Sequence, residues 1–253
     1  AKEQRQNFYV YTVTIKNKKM VLHLSFMKVL FFAFLLISHF SYSQWNKPDS
    51  ILSRPWLSVE YGGNWTQSDL AERYGFMNHI GVIGGFKTSK NWFYGIETCF
   101  QFGNNVRLTG LFDHLVDSYG NITDADGNIA AVLVYPRGFS SNLTIGKIIP
   151  ILGSNKNSGL FIHSGVGYLL HHMKIETNEQ VIPQIELDYK KGYDRLTTGI
   201  NLHQFVGYNF MSTNGGTHFY GGFYAQEGFT KNRRTITFDQ PDTPVSTELR
   251  LDV

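Results

Sequence analysis

Eight stretches of the sequence between Trp56 and Val253 carry apolar side chains at every second position, with polar residues or glycines between them. Consecutive side chains on a β-strand point to opposite faces, so a period of two predicts strands whose faces meet different surroundings. In the first stretch, Leu57 and Val59 share one face and Glu60 lies on the other. The eight predicted strands lie within residues 56–64, 79–87, 92–103, 131–147, 158–174, 197–210, 217–230 and 247–253.

The connections between these strands alternate in length. Short links rich in Gly, Asn and Ser, which tight turns favour, lie at 88–91, 149–157 and 212–216. Long links lie at 66–78, 104–130, 175–197 and 231–247. Outer-membrane barrels have this arrangement, with short periplasmic turns and long extracellular loops. We therefore predict an all-β fold, an eight-stranded antiparallel up-and-down transmembrane β-barrel, whose strands of about nine to eleven residues cross a bilayer at a tilt.

The composition agrees with an exported β protein. Charged residues make up 17% of the chain and aromatic residues 15%, and there are 25 glycines. No apolar run after the first 43 residues approaches the roughly 18 residues expected of a membrane-spanning helix. The net charge of +3 is too small to indicate binding to nucleic acid. Residues 44–253 are predicted to form one domain.

Residues 27–43 have the three regions of a secretory signal peptide: Lys28, an apolar run over 29–37, and small residues before a cleavage site at Ser43–Gln44. This places the mature protein, residues 44–253, in the bacterial outer membrane after export. Residues 1–26 are interpreted as upstream translation, with a genuine extension as the alternative. Because Cys99 is the only cysteine, we expect neither a lipid anchor nor an internal disulfide. The abrupt end at residues 250–253 leads us to expect a truncated last strand.

In lipid, the apolar face of each strand must meet acyl chains, so the polar face is predicted to line the inside. An eight-stranded barrel is narrow enough for side chains to fill it, so we expect a packed polar network and not an open pore. The predicted network contains Glu60, Glu97, Gln101, Asn201, Glu248, Arg250 and Asp252. A girdle of aromatic residues is expected at the periplasmic interface, formed by Trp56, Trp92, Tyr94, Tyr208 and Phe210.

Histidines on the fifth and sixth strands raise the question of a metal or catalytic site. His163, His171 and His203 can share the interior, but no acidic or cysteine spacing accompanies them in the sequence, so we predict no metal site and no cofactor. His163 and Ser164 are adjacent on a strand and face opposite sides, which separates a base from a nucleophile. We therefore predict no catalytic residue.

The long loops carry a cluster of charges that is predicted to form a binding surface. It consists of Lys190, Lys191, Tyr193, Asp194, Arg195, Arg233 and Arg234. Such a surface can be a solvated face, can contact anionic lipopolysaccharide headgroups, or can dock a protein partner. Connections longer than about 12–15 residues are often functional.

Two local motifs, "KKGYDRLTTG" over 190–199 and "NSGLFIHSGVGYLLHH" over 157–172, together with the alternating strands, resemble the small outer-membrane β-barrels of Bacteroidota, described as PorT-like or OmpA/OmpX-like. The resemblance implies a non-enzymatic outer-membrane protein that is structural or binds partners through its loops, as an accessory of secretion or assembly machinery. The implied partners are outer-membrane lipids, lipopolysaccharide and another outer-membrane or secreted protein. The alternatives are a lipid A-modifying enzyme and a narrow channel or transporter.

Overall fold

The computed structural model describes residues 50–152, 155–178, 180–212, 217–238 and 248–253. The predicted signal peptide at 27–43 and the segment 1–26 lie outside these residues. Eight strands form one sheet: β1 (Arg54–Asn64), β2 (Met77–Lys87), β3 (Trp92–Phe102), β6 (Leu133–Ile149), β7 (Gly159–Glu176), β8 (Thr197–Met211), β9 (His218–Asn232) and β10 (Arg250–Asp252). The long links contain a helix, a small hairpin and three 3-10 turns: α1 (Ser68–Arg73), β4 (Ile122–Thr123), β5 (Ile129–Ala130), Asp113–Leu115, Pro183–Ile185 and Leu187–Gly192.

The strands of the large sheet follow one another in sequence order, β1-β2-β3-β6-β7-β8-β9-β10, and every neighbouring pair is antiparallel. The prediction of an all-β chain with eight antiparallel strands is therefore confirmed. Within the described residues, none of the helices has the length and apolarity needed to cross a membrane.

The predicted strand length of nine to eleven residues is wrong for the middle of the sheet. Strands β6 to β9 contain 17, 18, 15 and 15 residues. Pro136 lies inside β6, just beyond Arg137, the last residue that β6 pairs with β3. Its missing N–H is tolerated at this free edge, so β6 continues through the proline.

The first and last strands approach each other without pairing along their length. Strand β10 pairs with β9 over three residues only, from Arg250 opposite Thr230 to Asp252 opposite Gly228. Beyond β1, Ser68 forms an isolated antiparallel bridge with Asp252, and the Gln67 N–H donates to the Val253 carbonyl at 2.6 Å. Ladder pairing between β1 and β10, which would close a barrel, is not found among the described residues.

The two faces of the sheet differ in exposure. On the inner face, side chains of β1 contact side chains of β9: the Tyr220 hydroxyl donates to Glu60 Oε2 at 3.0 Å. On the outer face, a row of apolar side chains crosses four neighbouring strands and is exposed: Ile96, Leu143, Val166 and Leu202. The sheet is therefore rolled around its polar face, with its apolar face outward.

An apolar cluster fills the inner face at the end of the short links. It consists of Trp56, Ile83, Phe93, Ile148, Phe161 and Phe205. Trp56 is only 5% exposed and packs 5.3 Å from the Phe93 ring, so its predicted place in an outer aromatic girdle is wrong. The alternation itself explains this position, because Trp56 shares the inward parity of Glu60.

The long links fold into a layer with its own apolar core above the other end of the sheet. One cluster consists of Ala130, Ile175, Ile182, Ile185 and Tyr193, and a second of Tyr74, Met77, Leu111 and Met173. We call these links the loop layer. Because its apolar side chains are buried together, the loop layer is an ordered part of the fold.

Candidate functional site

A polar layer lies on the inner face, next to the apolar cluster of Trp56 and Phe161. Of the residues predicted for an interior network, Glu97 and Asn201 are fully buried and Gln101 is 8% exposed. Glu60 is half-buried. The Asn201 amide donates to Asn142 Oδ1 at 2.8 Å, and the Gln101 amide donates to Gln226 Oε1 at 2.8 Å.

Glu97 lies beside two histidines in this layer. The three side chains come from different strands, Glu97 from β3, His163 from β7 and His203 from β8. His203 Nε2 lies 3.4 Å from Glu97 Oε2, and the His163 and His203 rings are 5.5 Å apart. One ligand-type atom from each side chain lies within 4.8 Å of the other two. No acidic spacing accompanies the histidines in the sequence, but the register and rolling of the sheet bring Glu97 beside them.

Aromatic rings hold the two imidazoles in place. The His163 ring stacks on Phe205 with ring centres 4.7 Å apart, and the His203 ring stacks on Tyr224 at 5.5 Å. On one neighbouring strand each histidine lies opposite a glycine, His163 opposite Gly146 and His203 opposite Gly165. A Cβ atom on Gly165 would lie 2.4 Å from the His203 ring, so only glycine at this position leaves room for that imidazole.

Two tyrosines and a cysteine contact the carboxylates of the polar layer. The Tyr224 hydroxyl donates to Glu97 Oε1 at 3.0 Å, as Tyr220 does to Glu60. The Cys99 thiol lies 3.5 Å from Glu60 Oε1 and 3.7 Å from Glu97 Oε1. Each carboxylate therefore has one oxygen oriented by a phenol, while Glu97 Oε2 points toward His203.

Several buried atoms of this cluster have no hydrogen-bond partner among the described residues. They are both ring nitrogens of His163, Nδ1 of His203 and Oε2 of Glu97. A buried polar atom without a partner costs about 1–3 kcal/mol. All four atoms belong to the three side chains that approach one another.

His171 belongs to a separate polar group at the loop-layer end. Its Nε2 lies 2.9 Å from Asp252 Oδ2, and its Nδ1 lies 3.4 Å from the Tyr74 hydroxyl. The Thr230 hydroxyl also donates to Asp252 Oδ2. This group ties β10 to β7 and β9. Both ring nitrogens of His171 therefore have partners, whereas neither ring nitrogen of His163 has one among the described residues.

Two residues predicted for the interior network lie elsewhere. Arg250 donates to the Asp69 carbonyl at 2.7 Å and lies 3.6 Å from Glu72 Oε2, so it mainly holds β10 against α1. Glu248 is exposed, because β10 begins only at Arg250. The alternation of polar and apolar residues begins before Arg250, but the strand does not.

The predicted loop surface is in part a buried structural unit. Tyr193 is 2% exposed, contacts Phe112 and Phe238, and its hydroxyl lies 2.7 Å from His114 Nε2. It cannot be a surface binding residue as predicted. An aromatic ring in a long loop is more stable in the apolar core of the loop layer than in water.

The charged neighbours of Tyr193 make mainly intramolecular contacts. Arg234 pairs with Asp194 through two hydrogen bonds, which raise the pKa of the Arg234 guanidinium. The Arg233 guanidinium donates to Thr198 Oγ1 at 2.6 Å. Ion pairs also join Lys190 to Glu186 and Lys191 to Asp188, and the Arg195 carbonyl accepts from Thr197. Lys191 and Arg233 remain exposed.

A cavity of 1610 Å³ lies between β1 and β9, where the sheet edges approach without pairing. Its walls include Trp56, Glu60, Tyr220 and Tyr224, and it extends to His171. The carboxylate of Glu60 thus lies both at this cavity and beside the buried cluster of Glu97 and Cys99.

One hydroxyl lies beside the histidines: Thr144 Oγ1 is 3.5 Å from His203 Nε2, and both side chains are buried. Ser164 is exposed on the outer face, and its hydroxyl donates to the His203 carbonyl at 2.9 Å.

The sequence does not single out Tyr220 and Tyr224 as site residues, because their strand is aromatic on both faces. The available signal is the period of two, which puts both tyrosines on the face that carries Gln226.

Comparison with family models, curated proteins and solved structures found no match for this chain.

Proposed function

We propose that this chain is a non-enzymatic integral protein of the bacterial outer membrane, in which the rolled sheet forms a β-barrel and the loop layer binds a partner outside the cell. The observation that carries the proposal is the distribution of polarity. Large apolar side chains are exposed over the outer face of the sheet, while Glu97, Asn142, Asn201 and His203 are buried on its inner face. This is the reverse of a water-soluble sheet protein and is typical of a transmembrane barrel.

The height of the apolar band supports this proposal. On the outer face of β6, the charged residues Lys147 and Arg137 flank a band of uncharged side chains. The ten-residue interval corresponds to about 33 Å along a strand, or about 25 Å at a tilt of about 40°. That height matches the apolar band of outer-membrane barrels, about 25 Å. The Lys147 ammonium lies 4.8 Å from the Trp92 ring, as expected at an interface.

The packing of the interior at its short-link end favours a role other than a general pore. At the short-link end, the buried Lys87 ammonium donates to the Leu52 carbonyl and to Asn157 Oδ1, both at 2.9 Å. Next to this group lies the apolar cluster that contains Phe161. In our proposal these contacts block the axis of the barrel, so the working surface is the loop layer.

The loop layer offers an exposed apolar patch for a protein partner. Ile129 and Val181 are 69% and 57% exposed. Gln180 joins the segments that carry them, because its amide donates to the Ile129 carbonyl at 3.1 Å. Exposed apolar side chains on a rigid layer are typical of interaction sites. The partners that we propose are another outer-membrane or secreted protein, as for an accessory of secretion or assembly machinery, and lipopolysaccharide headgroups at the rim.

The membrane assignment is tested by placing an arginine on the outer face. Leu143→Arg should destabilise the protein in bilayers by about 2–4 kcal/mol, the cost of a cation near the midplane. Tyr119→Arg is the matched control, because Tyr119 is 88% exposed in the loop layer. Unfolding in vesicles with denaturant measures both. An Leu143→Arg protein as stable as the Tyr119→Arg control, or a mature chain that stays in the soluble fraction, contradicts the proposal.

Partner binding is tested by photo-crosslinking in native outer membranes. A photoreactive residue at Val181 should yield a discrete protein adduct, whereas one at Phe223 on the outer face should yield lipid adducts only. Equal protein adducts at both positions, or none at Val181, would argue against a partner-binding loop layer.

A further inference from the structure

We infer that Glu97, His163 and His203 form a binding site for a divalent transition-metal ion of the zinc class. The inference concerns the interior of the sheet, and it holds whether or not the loop layer binds a partner. Its starting observation is that three buried side chains from three strands direct ligand-type atoms to one point, within 4.8 Å of one another.

The spacing of the ligand atoms fits such an ion. Zinc binds imidazole nitrogen and carboxylate oxygen at about 2.0–2.2 Å, so neighbouring ligand atoms of a tetrahedral site lie about 3.3 Å apart. His203 Nε2 and Glu97 Oε2 are already 3.4 Å apart. His163 completes the set by a small rotation of its ring, because its separation from the others is no more than 4.8 Å.

The unpartnered atoms of the cluster point to a missing ligand. Both ring nitrogens of His163 and Glu97 Oε2 are buried without hydrogen-bond partners among the described residues. Neutral imidazole and carboxylate are strong ligands for a metal ion, and a bound ion would satisfy Glu97 Oε2 and one ring nitrogen of His163 together.

The surrounding side chains provide the orientation that metal sites require. Tyr224 donates to Glu97 Oε1 and leaves Oε2 free for the ion, while its ring stacks on His203. Phe205 stacks on the ring of His163. Such outer contacts fix ligand orientation and affect metal affinity by about 10–100-fold.

The ligand types select the class of metal. Two imidazoles favour zinc, copper, iron or nickel over calcium or magnesium, which prefer oxygen ligands. Glu60 and Cys99 lie within 4.8 Å of Glu97 and add a second carboxylate and a thiol to the surroundings of the ion. Since Glu60 also borders the cavity between β1 and β9, that cavity is a route for the ion to enter.

The test is a zinc titration of tag-free full-length chain, folded in detergent and stripped with a chelator. We expect one Zn²⁺ per chain by calorimetry and mass spectrometry, and visible absorption bands of a nitrogen- and oxygen-ligated ion when Co²⁺ replaces Zn²⁺. The His163→Gln/His203→Gln double variant should bind at least 100-fold more weakly. Tyr224→Phe, which removes a positioning hydroxyl, should weaken binding about 10–100-fold.

His172→Gln is the matched control, since His172 is adjacent to His171 on β7 and its side chain points to the opposite face. Its affinity for zinc should equal that of the wild type. A wild-type chain that takes up no zinc at stoichiometric concentrations overturns the inference, even if the double variant fails to fold. Equal affinity in a folded double variant, checked by circular dichroism, also overturns it, because zinc would then bind elsewhere.

Discussion

Two neighbouring regions of the inner face use the same strands in opposite ways. At the short-link end, Trp56, Phe161 and Phe205 form an apolar cluster. One step further along the same strands, Glu97, His163 and His203 form a polar cluster with unpartnered atoms. The period of two is identical in both regions. Alternation therefore determines which side chains point inward, while their chemistry determines whether the interior is packed for stability or arranged for binding.

The largest loss of stability should come from a substitution in the apolar cluster. Phe161 is fully buried and contacts Trp56, Phe93 and Phe205, so Phe161→Ala should leave a cavity and destabilise the fold by about 3–5 kcal/mol. Denaturant unfolding in detergent measures the change. Ile162→Ala is the control on the same strand, because its side chain is exposed on the outer face and its removal leaves no buried cavity. Equal losses in the two variants would show that the apolar cluster is no better packed than the outer face.

A smaller effect is expected from breaking one polar pair. Asn142→Ala removes the acceptor at 2.8 Å from the Asn201 amide and leaves that buried donor unpaired, which should cost about 1–3 kcal/mol. The double variant Asn142→Ala/Asn201→Ala should lose less stability than the two single variants together, because it removes the unpaired donor along with its partner. Strict additivity in the double-mutant cycle would mean that the two amides do not interact.

The smallest effect on stability should come from protonating two carboxylates in exposed turns of the loop layer. Water can hydrogen-bond the groups that these turns release. The Asp117 and Asp124 carboxylates accept backbone N–H groups, from Asn121 at 2.9 Å and from Asn128 at 2.8 Å. These hydrogen bonds hold the pKa of each aspartate below its ordinary value of 3.8. Because the folded pKa is depressed, the contribution of each carboxylate to stability is complete above pH 3.8 and is lost as pH falls through the folded pKa.

A titration by NMR from about pH 2 to about pH 6, in steps of about half a pH unit, checks this prediction through the amide chemical shifts of Asn121 and Asn128. Asp117→Asn is the control, since asparagine keeps a side-chain acceptor but does not titrate. Its turn should show no pH dependence at Asn121. A midpoint at or above the ordinary aspartate value in the wild type would contradict the prediction.

The sequence was sufficient for much of the fold because strand periodicity is local. It predicted the eight strands and the inward position of His163 and His203 from neighbouring residues, and the strand order from the lengths of the links. It failed where position depends on distant segments. Tyr193 is buried because the 3-10 turn at Asp113–Leu115 and Phe238 pack on it, and Arg250 is held at α1, although both were expected elsewhere.

The sequence by itself determined which face of the sheet each strand residue occupies, because β geometry reverses side-chain direction at every residue. Only the tertiary structure decided which inward residues meet. Register and the rolling of the sheet bring Glu97 on β3 beside His203 on β8, strands that are not neighbours in the sheet. No local pattern encodes that contact, because it depends on the curvature of all the strands between them.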